Sequence, residues 1–340
     1  MLTDRQNYFP NALDLLLTAR MQERFHERAA AARRQQFGPK IFVRAVVEVS
    51  NYCRQNCVYC GMRRDNRTLE RFRASHEQIT EWILQNRPAS VTDLNIQAGE
   101  DPVAARGVVV PLVRALRRET NLGISVCLGS LQHDLYNELK AAGATIYILK
   151  FETANATRYR QMQSPGTLEE RAGHIQFLAA SGWKVGSGFI AGLPGQNTDE
   201  LVENLHFAAS LPLDGCSVSP FVPGDETPLS TQSAPSIDLT LNCMAALRML
   251  KPAWVIPAVS ALNLAEPGSG YRRGLRTGAN LVTINLTPPD FRGDYLLYKR
   301  ERFIMTEEII LNAIEAEGLQ PSEMGLAQHY ASPKAQLAVA

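Results

Sequence analysis

Short apolar, β-branched runs alternate with amphipathic stretches from about residue 40 onward. The runs are Val43–Ser50, Thr92–Ala98, Gly123–Leu128, Thr145–Phe151, Lys184–Ala191, Gly215–Ser219, Trp254–Pro257 and Asn280–Asn285. The stretches with helical spacing between them are His76–Asn86, Val103–Thr120, Asp134–Ala142, Leu168–Ser181, Asp199–Ser210 and Ile237–Leu250. Repeated strand-then-helix order is typical of parallel sheets with helical crossovers. The eight candidate strands predict an α/β fold, a (β/α)8 TIM-type barrel, with an open doubly wound sheet as the alternative.

The chain divides into three predicted segments. Residues 1–39 have the pattern of two amphipathic helices and form an N-terminal helical extension, and residues 40–320 carry the barrel. Residues 321–340 form a C-terminal tail. Because periodicity is weak after about Gly318, we expect a loose extension there.

Composition narrows the class of protein. With 340 residues, 45% of them hydrophobic, the chain can bury one large core. The formal net charge is only +1, so nothing attracts nucleic acid or an anionic membrane to the surface as a whole. The sequence contains neither an apolar run of about eighteen residues nor a secretory signal. We therefore expect a cytoplasmic protein with no membrane and no nucleic-acid partner.

Three of the six cysteines fall within eight residues. Cys53, Cys57 and Cys60 form a Cys-x3-Cys-x2-Cys loop directly after the first predicted strand. Three thiolates so close together need a distant fourth ligand to complete a zinc site, and a cubane iron–sulfur cluster usually takes four cysteines. The loop therefore predicts a cluster with one iron open to a chelating cofactor or with a remote ligand, while a zinc site and incidental thiols stay as alternatives. The other cysteines are expected to be small buried hydrophobes: Cys127, Cys216 and Cys243.

This loop, with Tyr59 directly before its last cysteine, resembles the radical S-adenosylmethionine superfamily. The segments that follow in order over about residues 40–290 are RAVVEVSNYCRQNCVYCGMRRDN, QAGEDP, FETAN, SGFIAGLPGQ, SPFVPGDETPL, IPA and GAN. Together they resemble the biotin-synthase-like branch, most closely the [FeFe]-hydrogenase maturases of the HydE type. The resemblance implies a [4Fe–4S] cluster on the three cysteines, S-adenosyl-L-methionine on its open iron, and a 5′-deoxyadenosyl radical. It also implies a small-molecule or small metal-complex substrate and an electron donor of the ferredoxin or flavodoxin type.

The same resemblance implies seven contacts to the bound cofactor: Tyr59, Gln97, Gly99, Glu100, Glu152, Arg171 and Ile190. Tyr59 would pack on the adenine, and the strand that contains Ile190 resembles the adenine side. The Gln97–Glu100 segment would hold the methionine ammonium, and Arg171 could grip the carboxylate bidentately. Other readings stay open, namely a core tyrosine at 59, a plain turn at AGED, a helix cap at Glu152 and an exposed helix charge at Arg171.

On the substrate side, Tyr295 and Tyr298 match a spaced tyrosine pair above the maturase cavity, and Lys150 is the third candidate catalytic residue. Lys150–Phe151 replace an Arg-His pair of the maturases, and Gly129–Leu131 replace Gly-Glu-Trp. We expect both departures to face the cavity and to affect the choice of substrate. Gly186 stands where biotin synthase has a cluster cysteine, which disfavours sulfur insertion. A methylornithine-synthase-like mutase and a non-catalytic iron–sulfur scaffold are the alternatives to a HydE-like enzyme of metallocofactor maturation, and a tyrosine or tryptophan lyase is a more distant one.

Overall fold

A computed structural model describes residues 8–300 and 304–332, so predictions for residues 1–7 and 333–340 lie outside the described chain. Seven parallel strands form one curled sheet in the order β6-β5-β4-β3-β2-β1-β7. Their bounds are β1 Lys40–Ser50, β2 Asp93–Ala98, β3 Gly123–Cys127, β4 Ile146–Ile148, β5 Lys184–Ala191, β6 Gly215–Pro220 and β7 Leu281–Asn285. The two-residue β8, Gln320–Pro321, pairs with the start of β1.

The segment 254–258 joins the two edges of this sheet. Val255 forms a parallel bridge with Gly215 in β6, and Pro257 forms one with Leu281 in β7. Proline has no N–H, and the Ile256 N–H donates to the Asn280 Oδ1 at 2.7 Å instead of to a strand. The segment 254–258 therefore forms isolated bridges in place of the predicted strand. The fold class, a (β/α)8 TIM-type barrel, is confirmed.

Helices follow the strands along the chain and cover the outside of the sheet. Their bounds are α1 Ala12–Leu15, α2 Ala19–Phe37, α3 His76–Asn86, α4 Pro102–Ala104, α5 Val110–Glu119, α6 His133–Ala142, α7 Ala156–Gln161, α8 Leu168–Ala180, α9 Thr198–Ser210, α10 Ile237–Leu250, α11 Ser260–Ala265, α12 Gly270–Arg276, α13 Pro289–Arg292, α14 Glu307–Glu315 and α15 Leu326–Ala331, with a π-helical turn Ala105–Val109 before α5. The two helices expected before residue 39 are α1 and α2, and α2 packs against α10. None of the helices in the described ranges is long and apolar enough to cross a membrane.

The first strand shows how the sheet separates core from cavity. Val43, Val47 and Val49 are fully buried against the outer helices, whereas Arg44 and Glu48 line the inside of the barrel. Alternate side chains of a strand point to opposite faces. The apolar core therefore lies between sheet and helices, and polar side chains remain available inside.

The lower end of the barrel is closed by residues that were expected to be a loose tail. Leu326 of α15 is 2% exposed and packs with Phe42, and the Asp93 carboxylate accepts its backbone N–H at 2.8 Å. The expectation of a loose extension after about Gly318 is thus wrong for the described residues up to Ser332. The segment boundary placed at residue 320 falls inside β8. The six-residue α15 buries one leucine, so its sequence is too short to show a recognisable helical periodicity.

We predict that Arg248→Met lowers the free energy of unfolding by about 3–5 kcal/mol, because it leaves buried hydrogen-bond acceptors without a donor where the barrel closes. The fully buried guanidinium donates to the carbonyl oxygens of Gly278, Pro252 and Trp254 and to the Asn280 Oδ1 at 2.7–3.0 Å. Urea denaturation measures the loss. The control Arg118→Met, on the exposed side of α5, should change stability by less than about 0.5 kcal/mol. Equal effects of the two substitutions would contradict the assignment.

Candidate active site

The cysteine loop lies at the carboxyl end of β1 and is held by side chains rather than by a strand ladder. Arg71 donates through Nη1 to the carbonyl oxygens of Asn51 and Met62 at 2.6 and 2.9 Å. Its Nη2 donates to those of Arg63 and Asn66 at 2.7 and 3.2 Å. One guanidinium thus satisfies four carbonyl groups of an irregular loop, which fixes the path of the chain around the cysteines.

Twelve of the thirteen predicted site residues line one cavity of about 180 Å³ at the upper end of the barrel. They are Cys53, Cys57, Tyr59, Cys60, Gln97, Glu100, Lys150, Glu152, Arg171, Ile190, Tyr295 and Tyr298. These residues come from the ends of four strands, from α8 and from the loop after α13. The carboxyl end of the strands is where barrel enzymes bind their ligands.

Gly99 is the predicted residue that does not line this cavity. A Cβ atom at this position would lie 2.2 Å from the Tyr52 carbonyl oxygen and 2.9 Å from the Cys53 Cβ. Glycine therefore allows the end of β2 to pass directly against the start of the cysteine loop. A contact between Gly99 and a cofactor stays a prediction.

The Glu100 carboxylate ties the cysteine loop to the loop after β3. Its side chain is 3% exposed and accepts from the Arg54 Nε at 2.8 Å, from the Gln55 Nε2, and from the Ser130 N–H at 2.8 Å. The Glu100 backbone N–H donates to the Cys53 Sγ at 3.3 Å. This positioning role was not predicted from the sequence, and a contact of this carboxylate with an ammonium group remains a prediction.

Arg171 projects from α8 into the cavity. Its side chain is 5% exposed, so the alternative of an exposed helix charge is wrong. Nη1 donates to the Ser130 Oγ at 2.8 Å and lies 3.8 Å from a Glu100 oxygen. The buried Nε has no hydrogen-bond partner in the described part of the chain. A buried donor of this kind is costly unless a ligand accepts from it.

Glu152 is directed into the cavity by an uncommon backbone conformation. Its φ of 64° lies in the left-handed region, which costs a non-glycine residue about 1–3 kcal/mol. Two hydrogen bonds with β5 hold it there, from the Glu152 N–H to the Gly188 carbonyl and from the Ile190 N–H to the Glu152 carbonyl. Burial raises the pKa of Glu152 more than Lys150 and Arg171 lower it.

Burial also raises the pKa of each thiol in the loop, to about 12 for Cys57. These thiols are therefore neutral unless a bound cation stabilises the thiolates. Within residues 8–300 and 304–332, no three His, Cys, Asp or Glu side chains converge as ligands of a single ion would. Thiols spread around a cavity suit a group with several metal atoms better than one zinc ion.

Three tyrosines line the upper cavity. Tyr59 packs with Ile190 and Phe221 in an apolar cluster while it lines the cavity, so its core and ligand-facing readings are compatible. Tyr295 is fully buried and Tyr298 borders a second chamber further down the barrel.

The lower chamber has a volume of about 210 Å³. It shares Gln97, Cys127, Lys150 and Tyr298 with the upper cavity, and Glu48, which is in register with Gln97, also lines it. Cys127 is thus a cavity residue, contrary to the expectation of a buried hydrophobe. Cys216 also lines the lower chamber although it is only 1% exposed, whereas Cys243 is a fully buried core residue as expected.

One of the expected substrate-side departures points elsewhere. Phe151 is fully buried and packs edge-on against Phe207 of α9, with ring centroids 5.1 Å apart. Leu131 likewise belongs to the core between sheet and helices. Lys150 and Gly129 do line the cavity. The expectation that both departures face the cavity is therefore correct only for Lys150 and Gly129.

Comparisons with known proteins agree with this geometry. The model of the Radical SAM superfamily matches residues 47–208. The [FeFe] hydrogenase maturase subunit HydE of Thermotoga maritima is 34% identical over 294 residues, which cover 85% of this chain and 84% of that protein. The chain belongs to the radical SAM superfamily. The resemblance inferred from its sequence is confirmed.

A second relative supports the radical SAM assignment, and a solved structure supports the fold. The 3-methylornithine synthase of Methanosarcina acetivorans is 26% identical over 308 residues, covering 88% of this chain and 85% of that protein. The crystal structure of methylornithine synthase (PylB) matches the fold with a TM-score of 0.81 at 24% identity, over 94% of this chain and 96% of that one. This protein is therefore a radical SAM enzyme, and its superfamily implies a 4Fe-4S cluster and SAM.

We predict that alkylation of Cys57 in the metal-free radical SAM protein keeps rising about tenfold per pH unit from pH 7 to 10. A raised pKa means that the reactive thiolate is still scarce at pH 9, so the rate should not level off there. Peptide mass spectrometry after iodoacetamide treatment measures the rate at this residue. In urea, the same cysteine should level off near its ordinary pKa of 9.0. A plateau near pH 9 in the folded protein would refute the burial argument.

Proposed function

We propose that Cys53, Cys57 and Cys60 bind a [4Fe–4S] cluster, that S-adenosyl-L-methionine binds beside it, and that the enzyme acts in metallocofactor maturation. The observation that carries the proposal is that all three thiols line one cavity together with the charged side chains of Glu100, Lys150, Glu152 and Arg171. The maturation role rests on the likeness to the protein named [FeFe] hydrogenase maturase subunit HydE.

The residues present fit such a cofactor pair. The Glu100 N–H already donates to the Cys53 Sγ, as a thiolate ligand of a cluster would require. The unpartnered Arg171 Nε supplies a donor for a carboxylate. A cluster held by these cysteines would supply one electron to the sulfonium, whose C5′–S bond would break to give methionine and a 5′-deoxyadenosyl radical.

The protein's own contribution is placement and the exclusion of water. Arg171 would bind the methionine carboxylate, while Glu152 and the Gln97 side chain would hold polar groups of the same ligand. Tyr59 and Ile190 provide the apolar wall for an adenine ring. Each of these groups is held by packing or by hydrogen bonds to neighbouring strands, so the ligand meets a preorganised site.

A small molecule or small metal complex would bind lower in the cavity, between Lys150, Tyr295 and Tyr298. Lys150 and Tyr298 line both the upper and the lower chamber. Burial lowers the pKa of Lys150, but the neighbouring Tyr298, Glu152 and Cys127 outweigh it and raise the pKa. Lys150 therefore offers a positive charge to an anionic substrate group.

An amino-acid mutase is the second candidate function, favoured by the 26% identity with 3-methylornithine synthase over most of both chains. The two functions differ in substrate. A mutase should consume lysine, whereas a maturase should act on a cysteine-bound iron complex or a thiazolidine-like mimic. Adding these compounds in turn and measuring 5′-deoxyadenosine separates the two.

The first test is 5′-deoxyadenosine formation by the anaerobically reconstituted protein with dithionite and S-adenosyl-L-methionine, measured by mass spectrometry. We predict product from the native protein and none above background from Cys57→Ala, because a lost ligand removes the cluster. Cys243→Ala, a substitution in the core of α10, is the control and should retain product formation. Turnover by Cys57→Ala after reconstitution would disprove the assignment of the ligands.

We further predict that Lys150→Met raises the KM of the active substrate about tenfold or more while substrate-free cleavage persists. The charge lies on the substrate side, so its loss should weaken substrate binding and leave the cofactor site intact. Lys150→Arg keeps the charge and should recover part of the affinity. If Lys150→Met abolished substrate-free cleavage as well, Lys150 would belong to the cofactor site instead.

A further inference from the structure

Positive charge is concentrated on the cysteine loop. Residues 51–75 hold six arginines and two acidic residues, a net charge of +4. The whole chain has a net charge of +1, so the remaining residues sum to −3. The loop that encloses the proposed cluster is thus a strongly basic segment, whereas the charges of the remaining residues sum to a slightly acidic total.

The arginines of this loop have two different roles. Three of them are engaged with groups of the protein interior: Arg54 with Glu100, Arg71 with the loop carbonyls and Arg73 with the buried Asp101. Arg64 and Arg67 are exposed. Arg64 has a contact to the equally exposed Asp65 at 3.1 Å, and Arg67 has no hydrogen bond or ion pair among residues 8–300 and 304–332.

The outward arginines are close to the cysteines. The Arg64 N–H donates to the Gln55 carbonyl at 2.7 Å, and Gln55 lies between Cys53 and Cys57 in the chain. A side-chain hydrogen bond adds to this contact, since the Asn56 Nδ2 donates to the Asp65 carboxylate at 2.7 Å. The exposed end of the loop is therefore folded directly over the segment that joins the first two cysteines.

An exposed aromatic residue completes this face. Tyr52 directly precedes Cys53, is 37% exposed and has the Arg73 guanidinium 3.9 Å above its ring centroid. Arginine and tyrosine are enriched at protein interfaces. The basic loop face is defined by Tyr52, Arg54, Arg64, Arg67 and Arg73.

We propose that the basic loop face is the docking surface for an acidic one-electron carrier protein. The inference rests on the proposed function, which requires one electron from outside for each cleavage. The carrier is oxidised by one electron and the metal site is reduced by one, and no atom is transferred. Electron transfer weakens steeply with distance, so the carrier must approach the loop that holds the cysteines. A basic patch there attracts an acidic partner and orients it.

The test compares the reconstituted native enzyme with the double variant Arg64→Glu, Arg67→Glu, using an acidic flavodoxin as the probe. Neither arginine contacts the cavity. We expect the KM for reduced flavodoxin to rise at least about tenfold, with a weaker dependence on salt, because rim charges act on association. Turnover driven by dithionite, a small reductant, should stay within about twofold of the native value.

Arg114→Glu, Arg118→Glu is the matched control, with two exposed arginines reversed on α5, outside the loop. It should bind and use flavodoxin as the native protein does. Flavodoxin-driven turnover that is unchanged in the loop variant, or lowered equally in both variants, would overturn the proposal. Direct binding of flavodoxin, measured by calorimetry at low salt, gives a readout without turnover. If dithionite drives no cleavage in the native protein, the proposed function fails, and the loss or retention of this binding still decides the docking surface.

Discussion

The buried Glu100 carboxylate is the interaction on which the geometry of the site depends. A buried carboxylate is costly unless donors surround it, and here the donors come from three separate parts of the chain. Arg54 and Gln55 belong to the cysteine loop, the Ser130 N–H to the loop after β3, and Arg171 to α8. Satisfying one charge therefore fixes the cysteine loop against the rest of the barrel. Arg71 completes the fixation from the other side, since its guanidinium occupies carbonyl groups that have no strand partner.

The alternation of side chains along the strands then decides what the barrel encloses. In β1 the side chains of Val43, Val47 and Val49 are buried against the outer helices, while those of Arg44 and Glu48 face the inside of the barrel. Most of the stabilisation that comes from burying apolar surface thus arises where the sheet packs against the helices. The interior is left free to be polar. This division allows two chambers with shared lining residues to exist without loss of the core.

The features of the fold and of the site that can be predicted from the sequence are those encoded by residues close together in the chain. The three cysteines, the aromatic Tyr59 and the order of strands and helices are visible along the chain. The role of Arg71 is not, because it lies in an arginine-rich stretch where one inward residue looks like its exposed neighbours. Phe151 was expected in the cavity because Lys150–Phe151 replace an Arg-His pair of the maturases, yet adjacent residues of an extended chain point to opposite faces. The tail to Ser332 escaped recognition for another reason, because α15 packs against residues that lie far away in the chain, such as Phe42 and Asp93.

The charges inside the cavity also limit what can bind there. Burial raises the pKa values of Glu152 and of the three loop thiols, so these groups become anions readily only beside a positively charged ligand. Arg171 and Lys150 keep their positive charge and need anionic partners. A ligand with both signs satisfies the two requirements together, and one that carries a sulfonium, an ammonium and a carboxylate does so within a single molecule. A purely anionic ligand would leave Glu152 protonated or repelled, and a purely cationic one would lie against the buried guanidinium. The cavity therefore selects for charge pattern as well as for size.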